Sequence, residues 1–119
     1  MADATPPTPQ SVAKRACELA RDARAAVVLD GAGGLAGSSE SDDERSRELG
    51  ELTRELVEAL DAAAPGEKPE EFEAQVEGGA VYLVRRPDWT IAVVARRKAL
   101  SSLMFYDLRA VLAELEEAA

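Results

Sequence analysis

The sequence predicts an α/β (α+β) domain on a five-stranded, mostly antiparallel sheet, in the order helix, two strands, helix, three strands, helix. Three observations carry that prediction. In three segments apolar residues recur at steps of three and four, the spacing of one helix face. Five shorter runs are apolar and β-branched or alternate with a period of two, as strands do. Glycine-rich or proline-containing breaks separate these runs, at Gly31–Gly34, Pro65-Gly66, Gly78-Gly79 and Arg86-Pro87-Asp88.

Thr8 before Pro9 reads as an N-cap with proline at the first helical position. Val12, Ala16, Leu19, Ala20 and Ala23 continue the helical spacing to about Asp22. Residues 1–8 are rich in proline and threonine and are expected to be a disordered tail. Residues 9–119 suit a single domain. Ala25–Leu29 (AAVVL) is short and β-branched enough for a strand, and Leu35–Ser39 can return beside it as a hairpin. Ser41 with Glu44 matches a capping box. The second helix should then run from about Asp42 to Ala64, with Leu49, Leu52, Leu56, Val57 and Leu60 on its apolar stripe.

From Phe72 the period becomes two. Phe72, Ala74 and Val76 share one face, and Glu71, Glu73, Gln75 and Glu77 the other. Gly78-Gly79 turns this strand into Ala80–Arg85, and Trp89–Ala95 follows as the most apolar strand. A third helix is expected over Leu100–Glu117, burying Leu100, Leu103, Met104, Leu108, Val111, Leu112 and Leu115.

A net charge of −9 repels phosphate backbones, so nucleic acid is not an expected partner. No apolar run approaches the roughly 20 residues of a membrane helix, and the N-terminus lacks a signal pattern. A cytoplasmic protein with no membrane partner is the expectation. The single cysteine, Cys17, allows neither an internal disulfide nor a cysteine-rich zinc site. It reads as a small core filler.

VVLDGAGGLAGSSES, residues 27–41, tests for nucleotide binding. Gly31, Gly33 and Ala36 match a G-x-G-x-x-A variant of the dinucleotide fingerprint. That chemistry needs a helix to open at the loop, so that its amides meet the pyrophosphate. Here the helix signal comes later, and Glu40, Asp42, Asp43 and Glu44 would repel phosphate. Asp30–Gly34 therefore reads as a hairpin turn. With no histidine, Ser-His and Cys-His nucleophile pairs are excluded. The carboxylates lack calcium-loop spacing. No catalytic residue, cofactor or metal is expected.

AAVVLDGAGGLAGSS, QVEGGAVYLVRRPDWTIAVVA and SSLMFYDLRAVLAELEE together resemble the roadblock dynein light-chain family, over about residues 10–117. The resemblance implies a sheet with its first and last strands at the centre and the Phe72–Glu77 strand at an edge. It puts the second helix on one face and the first and third on the other. It further implies a non-catalytic homodimer that serves as adaptor or regulator of a small Ras-like GTPase. The pairing surface would be the edge strand and second helix: Leu49, Leu52, Leu56, Leu60, Phe72, Ala74 and Val76. Glu71, Glu73 and Glu77 would then stand near their copies, with Arg45, Arg47 or Arg54 as candidates to offset them. Independently of any resemblance, FEAQV carries no proline or lysine to block an edge. Residues 40–77 hold 14 acids and 4 bases, while residues 79–113 hold 6 bases and 2 acids, a division suited to two partners. A small-ligand sensor of similar architecture and a scaffold without a GTPase are the alternatives.

Overall fold

The computed structural model describes residues 6–67, 69–97 and 99–118. The first five residues of the expected tail, and Lys98 of the basic segment, lie outside that range. The elements are α1 (Pro9–Leu19), β1 (Ala23–Asp30), β2 (Leu35–Ser38), α2 (Asp43–Ala63), β3 (Glu71–Val76), β4 (Gly79–Arg85), β5 (Trp89–Ala95) and α3 (Ser101–Ala118). The sheet order is β2-β1-β5-β4-β3, and every pairing is antiparallel. The expected element order and fold class stand.

Strand periodicity sorts the side chains between two faces. Ala26, Val28, Tyr82, Val84, Ile91 and Val93 point to the layer of α1 and α3, where they meet Val12, Ala16, Met104, Leu108, Val111 and Leu112. Tyr82 stacks edge-on against Phe105, ring centroids 5.4 Å apart. Trp89 and Cys17 pack at the margin of this core. On the opposite face Val27, Ala92 and Leu83 form a cross-strand row, with Phe72 next in register. Leu49, Leu56 and Val57 of α2 pack on that row.

Three expectations need correction. Helix α1 ends at Leu19, because Ala20 turns extended and the chain must enter β1 opposite Ala95. Asp42, not Ser41, caps α2, its carboxylate accepting from the Glu44 and Arg45 amides. The reciprocal capping box lies at α1 instead, between Thr8 and Ser11. Leu100 and Leu103 are exposed rather than buried, since α1 has already ended where they project.

Gly37 in β2 has no room for a side chain. A Cβ there would come within 2.3 Å of the Pro9 carbonyl carbon. The missing side chain lets the first turn of α1 lie directly on the strand.

Candidate interaction surface

The two edges of the sheet are built differently. At the β2 edge the first turn of α1 closes the strand: the Ser38 amide donates to Gln10 Oε1 at 2.9 Å, and Gly37 sits under Pro9. Edge β3 pairs with β4 on one side, and among the described residues no strand or helix pairs with its other side. An open strand edge offers its outward N–H and C=O groups to another strand. Val76, near its end, is 50% exposed.

Helix α2 sits on the sheet by its small residues. Ser46, Gly50 and Thr53 are its buried positions. The Ser46 hydroxyl bonds Ser38 Oγ at 2.8 Å, and Gly50 faces the Leu35 side chain. That stripe lets the helix approach β2 closely and turns the leucines sideways. Leu49 and Leu56 reach the Val27–Ala92–Leu83 row, Leu60 is half-buried, and Leu52 is 62% exposed. At the far end of the helix Arg85 forks onto Asp61, Nη1 to Oδ1 at 2.8 Å and Nη2 to Oδ2 at 3.3 Å.

Because α2 crosses towards Arg85, it leaves the neighbouring row of the sheet uncovered. Ala25, Val94, Val81 and Ala74 are successive cross-strand partners from β1 to β3. Val94, Val81 and Ala74 are only half-buried. With Leu49, Leu52, Thr53 and Leu56, the Ala25, Val94 and Val81 members of this row wall an apolar groove of about 180 Å³. The groove runs towards the open edge strand. Of the interface residues named from the sequence, Leu49, Leu52 and Leu56 line it. Phe72, Ala74 and Val76 follow on the same face of β3. Leu60 lies beyond the groove on α2. Val81 and Val94 were missed by sequence reasoning: alternation shows which face of a strand a residue takes, not whether a helix covers it.

The acidic residues of β3 lie on the other face. Arg109 of α3 donates to Glu71 Oε2 at 2.7 Å, and Gln75 donates to Glu73 Oε2 at 2.6 Å. The cation that offsets Glu71 therefore comes from α3. Arg45, Arg47 and Arg54 cannot serve it, since α2 lies across the sheet; Arg45 pairs instead with Glu40.

The glycine loop is a self-contained turn. Asp30 Oδ1 accepts from the Ala32 and Gly34 amides, both at 2.9 Å, and Gly33 takes a positive φ of 89°. The amides that could meet a phosphate are occupied by a carboxylate, and a strand rather than a helix follows. Among the described residues no three His, Cys, Asp or Glu side chains gather as a metal site. Burial pushes the Cys17 thiol upward in pKa, aided by Glu40 and Glu18 and opposed by a hydrogen bond with Ser39. No helix among the described residues is long and apolar enough to cross a membrane.

No protein-family model matches the chain, and no curated protein does. Solved structures do match. A Roadblock/LC7 domain from Streptomyces avermitilis superposes with a TM-score of 0.79 at 14% identity, over 89% of this chain and 92% of that one. Myxococcus xanthus MglB gives 0.74 at 17% identity, over 91% of each chain. The gliding protein MglB from Thermus thermophilus gives 0.70 at 20% identity, over 97% of each. At these identities the likeness is one of fold: the chain has the Roadblock/LC7 fold.

Proposed function

We propose that this chain, with its Roadblock/LC7 fold, is a non-catalytic interaction module that forms a homodimer through β3 and α2 and acts as adaptor or regulator of a small Ras-like GTPase. One observation carries the reading: the cross-strand row Ala25–Val94–Val81–Ala74, half-buried from Val94 onward, runs from β1 to an open edge strand. Antiparallel pairing of two β3 strands would join the sheets and bring Phe72, Ala74 and Val76 beside their copies on one face. The two α2 helices would then share the apolar surface that each leaves uncovered. Burial of apolar area is the dominant favourable term in such association. Glu71 meets its copy already paired to Arg109, which reduces the like-charge cost of bringing the edges together.

Light scattering after size exclusion, over a range of concentrations, tests the dimer. Wild type should be dimeric and Val76→Arg monomeric. A monomeric wild type at every concentration rejects the pairing. The regulatory role is tested with small Ras-like GTPases loaded with GDP or a GTP analogue. Neither binding nor a changed hydrolysis rate across the set would reject that role while leaving the dimer standing.

A second reading has its own observation. The groove of about 180 Å³ is walled almost wholly by apolar side chains, as a small-ligand sensor requires. Thermal shifts with small apolar compounds, lost in Leu52→Arg, would favour it over the GTPase regulator.

A further inference from the structure

An open sheet has two edges, and either can template a further strand. Here β3 is bare and β2 is covered, although β2 carries nothing of its own to discourage a neighbour. Leu35–Ser38 (LAGS) holds no proline and no charged residue. What blocks it is the start of α1. The Ser39 amide donates inward to the Ala26 carbonyl at 2.9 Å, so strand alternation turns the Ser38 amide outward, away from β1. That outward amide is the group a further strand would use. It donates instead to Gln10 Oε1 at 2.9 Å.

The turn that carries Gln10 has a fixed shape and a shallow anchorage. Thr8 and Ser11 bond each other reciprocally at 2.8 and 3.0 Å, with Pro9 at the first helical position. The turn lies so close to β2 that a Cβ at Gly37 would overlap the Pro9 carbonyl and the Gln10 nitrogen. Beneath it Gly37 and Ser38 are buried. The turn itself adds little to the core, however. The buried residues of α1 begin at Val12 and continue with Ala13 and Ala16, while Gln10 is exposed. Lifting the first turn off β2 therefore leaves the packed part of the helix in place.

We propose that the first turn of α1 is an autoinhibitory plug: it occupies the β2 edge, and when it lifts, that edge pairs with the β2 edge of a second copy. The consequence for assembly rests on the β3 dimer proposed above. A dimer joined at β3 has a β2 edge at each end of its continuous sheet. The two plugs stop growth at two subunits; without them each end adds another copy and the sheet extends. The occupant is a second copy because the strand is self-compatible. LAGS is short and uncharged, so two of them meet with no like charges opposed, unlike the glutamates of β3.

Light scattering after size exclusion, on the full chain over a range of concentrations, tests the plug. Gly37→Val drives the Pro9 backbone off the strand, and Gln10→Ala leaves the Ser38 amide without its acceptor. Both should raise the mass above that of wild type, Gly37→Val by about twofold or more, as an uncovered edge allows. Gln10→Glu keeps an acceptor oxygen and should keep the wild-type mass. Added to Val76→Arg, Gly37→Val should turn a monomer into a dimer, now joined at β2. Hydrogen exchange gives a second readout: in Gln10→Ala the Ser38 amide should exchange faster when dilute and regain protection when concentrated. If circular dichroism shows Gly37→Val unfolded, Gln10→Ala decides alone. Wild-type mass in Gln10→Ala at every concentration overturns the proposal, as does equal growth in Gln10→Glu. Failure of the β3 dimer reads differently: wild type would be monomeric, and Gly37→Val alone would then form the β2 dimer.

Discussion

Arg109 Nη1 lies 2.7 Å from Glu71 Oε2, so Glu71 of the acidic edge strand is neutralised from α3, on the face of the sheet opposite α2. Both side chains are partly exposed, and such pairs contribute about 0–1 kcal/mol to folding. Arg109→Ala should therefore leave urea denaturation within about 1 kcal/mol of wild type. Its effect should fall on self-association, because Glu71 would meet its copy uncompensated. Light scattering should show the dimer dissociating at higher protein concentration than wild type. An unchanged dissociation curve would separate the ion pair from the assembly.

Gly37 tests the closed edge of the sheet. A methyl group there would press into the Pro9 backbone, and the relief available is to lift the first turn of α1 off β2. Gly37→Ala should lower stability by roughly 1–3 kcal/mol, as overpacked sites do. Chemical denaturation measures this. The Ser38 amide, freed from Gln10, should also exchange its hydrogen faster. Wild-type stability in Gly37→Ala would mean that α1 does not rest on the strand.

The third helix holds two kinds of leucine, and truncation should distinguish them. Leu108 is wholly buried, whereas Leu103 is 59% exposed. Leu108→Ala should cost roughly 2–5 kcal/mol through lost burial and the cavity left behind. Leu103→Ala should stay within about 0.5 kcal/mol of wild type. Comparable losses at the two sites would refute the split between a packed stripe and an overhanging first turn.

Cys17 should titrate with a thiol reagent at a midpoint above its ordinary 9.0, since burial penalises the thiolate. The same shift links stability to pH. A group with a raised folded pKa stabilises the protein fully below its ordinary value, and that contribution is lost as pH climbs through the folded one. Wild type should thus lose stability in alkaline solution by more than Cys17→Ser does. Rapid thiol labelling at neutral pH would contradict this.

Asp30 holds the glycine turn through two amides. Asp30→Ala should speed hydrogen exchange at Ala32 and Gly34 and cost roughly 1 kcal/mol, the usual scale of such bonds. If neither amide changes, the turn is held by its backbone bonds alone, Asp30 to Gly34 and Gly33 to Asp30.

The sequence by itself determined the elements, their order and which side chains share a face. Periodicity is a local property: the alternation of Phe72, Ala74 and Val76 and the β-branched run of Trp89–Ala95 declare strands without reference to the rest of the chain. All five strands begin and end within about two residues of where the sequence puts them. Only the tertiary structure decided how far each apolar stripe is covered. Leu52 satisfies the spacing of α2 as well as Leu49 does, yet it is exposed, because Ser46, Gly50 and Thr53 let the helix settle on a smaller face. Leu100 and Leu103 continue the stripe of α3 but project past the end of α1. Glu71 and Arg109 are 38 residues apart, so their pairing has no local signature. A helix pattern gives the direction in which side chains point; what stands opposite them depends on where the other elements end, and that is a property of the packed molecule.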